Sequence, residues 1–567
     1  MIRILDFKGA VPRAHPRLIP DSYAQTARNT RLERGVIEPI KLPRLDTTLG
    51  APALTIYKHL GAWLSWAAIV DAVPGPVAQD RLYYTGDAAP KMRVAGTVYP
   101  LKLAAPVAAP TLLALSAANP ALAETIYYAY TYVTSFGEES QPSPLSAALL
   151  WSPGVTVRLS AFSAAPGGRS INKIRIYRSQ TSATGATELF FVAEIATGTA
   201  TYDHDLTTAP LVEPIPSTNY DPPIDTLSGL IALPNGMMAA FDGKDLYFCE
   251  PYQPQAWPDA YSLTVDYSIV GLAAFGSTLA VLTSGTPYIL QGTHPENMAM
   301  ERMDKALPCL SRRGIVDIGY ACYFPSIEGL AMVSPSQSDI VTRALFTREQ
   351  WQAMAPGSMV ADSYNGRYLY AYNYSTFDSY DAGIFGTAVA PNGFDEGIWG
   401  SVGGPLTIYD HGYWGSAFGL RRIGSIDLIG DQPFFIESDA FLPDSMFTEP
   451  TTGALYGLVG GDKVMAWDDA ASPLATQIWR SKVYVFPWAT NFAGILVQTE
   501  TALAPGDVLN VRVVADKQLR ATITRSNRPE RLPGNFKAKE WYIEIEGNVT
   551  VTGVAMGLSY EELSGLL

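Results

Sequence analysis

Apolar residues along this chain fall in short runs that alternate with polar ones, and helical spacing is rare. VTVRLSAF, INKIRIYRSQ, TELFFVAEIA and EWYIEIEGNVTV each put every second side chain on one face, the pattern of half-buried strands. Gly, Pro, Asn and Asp punctuate the runs, so the pattern predicts an all-β protein. One unit also recurs. GLIALPNGMMAAFDGKDLYFCEP starts at Gly229, GLAAFGSTLAVLTSGTPYILQG at Gly271, GIVDIGYACYFPSIEGLAMVSP at Gly314 and MVADSYNGRYLYAYNY at Met359, a period of 42 to 45 residues. One four-stranded blade of a β-propeller takes about that much chain and cannot bury both faces alone, so the copies must stack. Two weaker copies follow, in TIYDHGYWGSAFGLRRIGSIDLI and in ALYGLVGGDKVMAWDD (Ala454–Asp469), the latter turning at Gly460-Gly461. The expectation is a multi-bladed β-propeller of about six blades over residues 223–475; a plain antiparallel sandwich with evenly spaced turns is the alternative.

Around that stretch the chain divides further. Residues 1–50 mix Pro, Arg and short apolar stretches with little period, which suits an extended segment pinned to its own body or to a neighbouring subunit. A short helix from Asp21, as N-cap, to Asn29 is expected there, then a turn at Arg34-Gly35. Residues 51–105 carry short strands with a hairpin at Thr85-Gly86-Asp87, a small β region or first blade. Trp63 and Trp66 suit a bulged strand or a helix equally. Residues 106–222 read as a β-sandwich, and Tyr127–Pro144, an alternating Tyr strand before a Gly/Glu/Ser/Pro turn, resembles the fibronectin type III pattern. Asp221–Thr226 is a linker, Gly383–Asp410 a Gly-rich loop, and residues 476–567 a C-terminal β-sandwich or closing blades. Helical signals are short: Thr347 with Gln350 forms a capping box, and SYEELSGLL ends the chain.

Composition sharpens this picture. The chain has 567 residues, 47% hydrophobic and 17% charged, with 31 Tyr and 11 Trp, which fits packed globular domains. Its net charge of −14 argues against a nucleic-acid grip, which needs a basic surface. Abundant aromatics at low charge density point to surface used in subunit contacts. Cys249, Cys309 and Cys322 lack CxxC spacing and read as reduced, mostly buried thiols of a protein made in a cytosol. No signal peptide is evident, and no apolar run is long enough to span a membrane. Ala104–Ala123 is apolar but interrupted by Pro106, Pro110 and Pro120.

Candidate chemistry is sparse. His15, His59, His204, His294 and His411 are isolated, with no metal-binding, phosphate-binding or nucleophile-elbow spacing. His204 between Asp203 and Asp205 comes nearest to a metal cluster, but a solvated turn closing the sandwich is the preferred reading. Asp468-Asp469 could hold calcium in a loop, but a simple turn is the preferred reading. The aromatic run Asn365–Tyr380 could stack bases, but Arg367 is its one cation, so strand packing or a subunit contact is preferred. No catalytic, cofactor-binding or metal residue is nominated, and no cofactor is expected.

Three stretches then fit together. PRLIPDSYAQTARNTRLERGVIEPIKLP carries Ala27, Asn29, Leu32, Gly35, Ile37 and Pro39; GMMAAFDGKDLYFCEPYQPQAWP ends on Pro254, Trp257 and Pro258; RLPGNFKAKEWYIEIEGNVTVTGVAMGLSYEEL closes the chain. In order, they resemble the tail nozzle (tail tubular protein B, tail hub or stabilisation) family of short-tailed bacteriophages, the sandwich being a departure from its simplest members. The resemblance implies a structural virion protein of the tail, made in the host cytoplasm, not an enzyme. It would form a homo-oligomeric ring, expected to be a hexamer, below a tail adaptor, contact fibres or spikes and possibly a plug or needle, and pass genomic DNA through its lumen. Many carboxylates would line that bore, so like charges let DNA slide, and reversing several to Lys should slow DNA release. A receptor- or glycan-binding tail-tip propeller and a propeller glycosidase are the alternatives.

Overall fold

The computed structural model describes residues 1–78, 80–181, 187–205, 211–374, 420–427 and 433–564. Among them α-helix is confined to Arg348–Ala353 and Tyr560–Ser564, and the chain is all-β, built of many small sheets none of which closes on itself. It forms two compact units, one of Met1–Ile56 with Leu307–Leu567 and one of Tyr57–Ala306. The stretch expected to carry the blades is thus shared between them.

The Tyr57–Ala306 unit holds three four-stranded antiparallel meanders. Sheet I is Asp71–Pro74, Arg81–Gly86, Ala88–Val94 and Thr97–Pro100. Sheet II is Ser228–Ala232, Met238–Asp242, Asp245–Phe248 and Leu263–Thr264, and sheet III is Ile269–Phe275, Thr278–Thr283, Tyr288–Gln291 and Ala299–Arg302. Their first strands lie against one another, Ser228–Ala232 touching both Asp71–Pro74 and Ile269–Phe275. Thr278–Thr283 is buried at every position, as a strand covered on both faces must be. The hairpin expected at Thr85-Gly86-Asp87 joins two strands of sheet I. Gly86 has φ +102°, and a Cβ there would stand 2.2 Å from the Ile69 carbonyl oxygen, so only glycine fits. Ala62–Trp66 is a strand, which settles the Trp63/Trp66 ambiguity.

In sequence, a sandwich separates sheets I and II. Thr111–Ala114, Val157–Ser160 and Thr201–His204 form one sheet, and Tyr128–Thr134, Ile171–Thr181 and Thr187–Ala196 another. They share a core of Tyr128, Tyr130, Tyr132, Trp151, Val157, Leu159, Ile174 and Ile176. The Tyr strand is closed on its free side by an extended segment with a period of three. Ser140, Ser143 and Ser146 donate N–H to the carbonyls of Tyr132, Tyr130 and Tyr128, and their hydroxyls accept from the same three residues' N–H groups. Pro142 and Pro144 fall between the serines, where no N–H is needed. That is a polyproline-like strand used to cap a sheet edge.

The other unit holds sheets IV to VI. Sheet IV is Val316–Asp317, Cys322–Pro325, Leu330–Val333 and Ser338–Ile340. Sheet V is Val360–Tyr364, Arg367–Tyr374, Leu420–Asp427 and Phe434–Ser438, and first strands again touch, Val316–Asp317 with Val360–Tyr364 and the latter with Ser445–Thr448. Sheet VI takes three strands from Ser445–Thr448, Leu455–Val459 and Lys463–Ala466; its fourth is Arg44–Thr48, paired antiparallel to Lys463–Ala466. The Gly-rich stretch Gly383–Asp410, His411 and the end of the Asn365–Tyr380 run lie outside the described residues. The helix Arg348–Ala353 has the expected cap, Gln350 N–H to Thr347 Oγ1 at 3.2 Å and Thr347 N–H to Gln350 Oε1 at 2.9 Å.

Residues 1–56 stitch this unit together. Ile2–Ile4 pairs with Val551–Gly557 in the C-terminal region, and Arg44–Thr48 completes sheet VI. The helix expected from Asp21 to Asn29 is instead the strand Ala24–Arg28, parallel to Phe434–Ser438 on one side and antiparallel to Gln477–Ser481 on the other. Two waiting strand edges outweigh the helix propensity of Ala, Gln and Arg, because both sets of backbone groups are satisfied at once. One sheet therefore runs from sheet V through Ala24–Arg28 into Gln477–Ser481, Ala538–Gly547, Leu509–Ala515 and Gln518–Ile523. From Trp541 to Gly547 the strand Ala538–Gly547 alternates buried and part-exposed residues, and its Trp541, Ile543 and Ile545 join Phe7, Trp479, Phe492, Val511 and Val513 in the largest core among the described residues.

Candidate functional site

The first segment also walls a cleft. Pro12 and Gln25–Arg28 form one side, Gln350 and Ala353 of the short helix with Met354 just beyond its end another, and Tyr372, Arg422 and Glu437 of sheet V the floor, around a cavity of about 250 Å3. Cross-strand register makes the floor: Tyr372 stands opposite Arg422, and Glu437 opposite Arg28. Glu437 is 8% exposed. Its Oε1 accepts from Tyr372 Oη at 2.8 Å and Arg422 Nη1 at 2.5 Å, and its Oε2 from Arg28 Nε at 3.2 Å and Nη2 at 3.1 Å. Burial, and then the Glu437 charge, push the Tyr372 phenol far above its usual range. It is a permanent donor at any working pH.

Beside the cleft, the residues of the N-terminal motif serve as pins. Asn29 sits at φ 53°, a left-handed conformation that Asn tolerates best after Gly. Its amide donates to Asp439 Oδ1 at 2.8 Å and the Thr476 carbonyl at 3.0 Å, and accepts from Ser438 Oγ at 2.8 Å. Leu32 and Ile37 are buried in the large core, and Ile37 exchanges both backbone hydrogen bonds with Val551. Trp257, from the second motif, is buried between sheets I and II, with its indole donating to Pro254 O at 2.8 Å.

The side chains singled out for chemistry are put to structural use. Asp468 pairs with Arg31 and accepts from the Lys41 N–H at 2.8 Å and Tyr364 Oη at 3.2 Å, while Asp469 pairs with Arg44 at 3.1 Å; the two turn the chain and hold residues 31–44. Tyr368, Tyr370 and Tyr372 are buried, packed with Trp351 and Phe435, so that part of the aromatic run is core. All three cysteines are free and buried, and burial raises the thiols of Cys249 and Cys309 to about 12. Among the described residues no group of three or more His, Cys, Asp or Glu could hold a metal ion. The Glu437 cluster and the cleft were missed in sequence.

His204 is not a solvated turn. It ends a strand, is 9% exposed, and its Nδ1 lies 2.9 Å from Tyr128 Oη. Burial, and then Arg178, lower its pKa to about 4, with Asp205 opposing. The unfolded chain protonates His204 near 6.5 and the folded chain near 4. Its contribution is therefore complete above pH 6.5 and is lost as pH falls toward 4. The loss should be of the order of 2 kcal/mol, after discounting for solvent at the ring edge. Urea unfolding of the full chain at pH 7.5 and 4.5 checks this; His204→Gln should show a smaller difference between the two pH values, and an identical difference refutes the assignment.

Fold and site together define the class, an all-β protein of many small sheets tied by its N-terminal segment. No family model matches the chain, and no curated protein matches it. Among solved structures, the extracellular domain of a putative hybrid two-component system from B. thetaiotaomicron is similar over 90% of this chain and 51% of its own length, at 7% identity and a TM-score of 0.22. A second structure, the extracellular domain of a putative one-component system from the same organism, covers 93% and 59%, at 7% identity and 0.21. PorZ, a surface component of the type-IX secretion system of Porphyromonas gingivalis, covers 91% and 77%, at 10% and 0.22. The chain spans half to three-fifths of the first two. Superpositions this loose carry no inference about fold or function.

Proposed function

We propose that this chain is a structural subunit of the tail nozzle of a short-tailed bacteriophage, sheets I to VI being the blades of a β-propeller, with sheet V the first four strands of a longer sheet. The observation that carries the reading is sheet VI: a strand from residues 44–48, next to the motif that resembles the nozzle family, completes a sheet whose other strands lie near the far end of the repeats. A propeller gains rigidity when its two chain ends share a blade, and a rigid block is what a channel wall needs. Within each unit, successive sheets meet along their first strands, which supports the same arrangement. The buried carboxylates Glu138, Glu139 and Glu437 are each engaged by arginine, which suits structure better than acid–base work.

In this role copies close a homo-oligomeric ring, a hexamer, through heterologous contacts. The ring sits below an adaptor, holds fibres or spikes, and passes DNA along an acidic bore without reading its sequence. Native mass spectrometry of the purified full chain, with electron microscopy of the particle, tests it. A closed ring at the tail end is expected; a protein that stays monomeric at high concentration and is missing from purified particles sinks the proposal.

A further inference from the structure

We propose that the outer face of the sandwich docks on the strand Tyr484–Thr490 of the next copy of this chain. The inference rests on the ring proposed above and names the two surfaces that repeat around it. Residues 103–123 and 140–157 hold no Asp, Glu, Lys, Arg or His, although 17% of the chain is charged. Together they build an apolar face. Leu112 and Ala114 turn into the sandwich core, so Leu113 between them points outward. Leu150 does the same between Leu149 and Trp151, on a strand that touches Thr111–Ala114. Leu122 lies alongside, its turn tied to the end of that strand by Ser152 Oγ, which accepts from the Asn119 N–H at 2.8 Å. All three leucines are more than half exposed.

Residues 483–499 are equally free of charge. Within them, and among the described residues, Tyr484–Thr490 pairs on one side only, with Ala538–Gly547, and the ladder breaks between Val485 and Thr490. Tyr484 and Phe486 pack on the large core, whereas Val485 is half exposed and Trp488 is 77% exposed. A Trp held out in water on a strand edge is the kind of anchor on which protein interfaces depend.

Charge selects a second copy as the occupant. Chains of net charge −14 repel one another, least where neither presents charge. The rims are also complementary. Glu124, beside Leu122, is exposed and in no ion pair; so are Lys537 and Lys539, which flank the Ala538 paired with Thr490. Two unlike surfaces on one chain make a head-to-tail contact, the kind from which rings are built.

Native mass spectrometry of the full chain tests this with two variants, Leu113→Asp with Leu150→Asp on the sandwich, and Trp488→Asp on the strand. All three side chains are exposed, and thermal unfolding shows that each variant is folded. Each should weaken self-association by roughly thirtyfold or more and stay monomeric where the wild type assembles. An equimolar mixture of the two should form a one-to-one heterodimer and nothing larger, because each pair keeps one intact contact. Lys537→Glu with Lys539→Glu should weaken the same contact, less so as salt rises. A sandwich or strand variant that assembles as the wild type does, or a mixture that stays monomeric, overturns this inference and leaves the ring itself standing. A wild-type chain that stays monomeric overturns both.

Discussion

Phe7→Ala is expected to destabilise the unit made of Met1–Ile56 and Leu307–Leu567 by about 3–5 kcal/mol. Phe7 is fully buried, and its ring meets Trp479 edge-on at 4.9 Å between centroids. The Trp479 indole donates to the Lys8 carbonyl at 3.0 Å, so the ring contact and the backbone beside it hold each other. Truncation to alanine removes the transfer free energy of the ring and leaves a cavity in the largest core, with Ile4, Ile19 and Tyr23 of the same segment also packed there. Leu18→Ala is the control: Leu18 is 79% exposed and should cost less than about 0.5 kcal/mol. Urea unfolding followed by tryptophan fluorescence reads both. If Phe7→Ala costs no more than Leu18→Ala, the first segment is an appendage and not part of the core.

That result would also explain what the sequence shows and hides. The four strong repeats are legible because each covers a local meander or hairpin whose strands and turns follow one another in a single short window. The cap at Thr347 is legible for the same reason, its two partners being three residues apart. Ala24–Arg28 is not legible. Its residues favour helix, and what makes it a strand is a pair of edges at 434–438 and 477–481 that no local window contains. Arg44–Thr48 is mostly exposed, so it carries almost no apolar signal for its place at the edge of sheet VI. Sheet V hides its third strand beyond the Gly-rich stretch, and Gly424 looks like a turn residue there. It is a packing residue: a Cβ would come within 2.6 Å of both Tyr370 and Phe435. The cleft shares this blindness, because Arg28, Tyr372, Arg422 and Glu437 come from four strands with no common spacing.

Glu437→Leu is the second large expectation, a loss of about 3–5 kcal/mol. The cost does not come from the ion pairs being strong. Two part-buried guanidiniums, Arg28 with 24% and Arg422 with 14% of the side chain exposed, would lose their shared carboxylate, and Tyr372 its acceptor. Charges already largely out of water then lose the carboxylate that compensates them most closely, Asp439 lying farther from Arg28 at 3.5 Å, whereas removing all the charges together also removes that penalty. The triple variant Arg28→Met, Arg422→Met, Glu437→Leu should therefore be more stable than Glu437→Leu alone, although it carries two more substitutions. Urea midpoints for wild type, single and triple variants decide the matter. A triple variant no better than the single one would mean that the cluster stabilises by its hydrogen-bond geometry, and that desolvation of its charges is not what makes the single substitution costly.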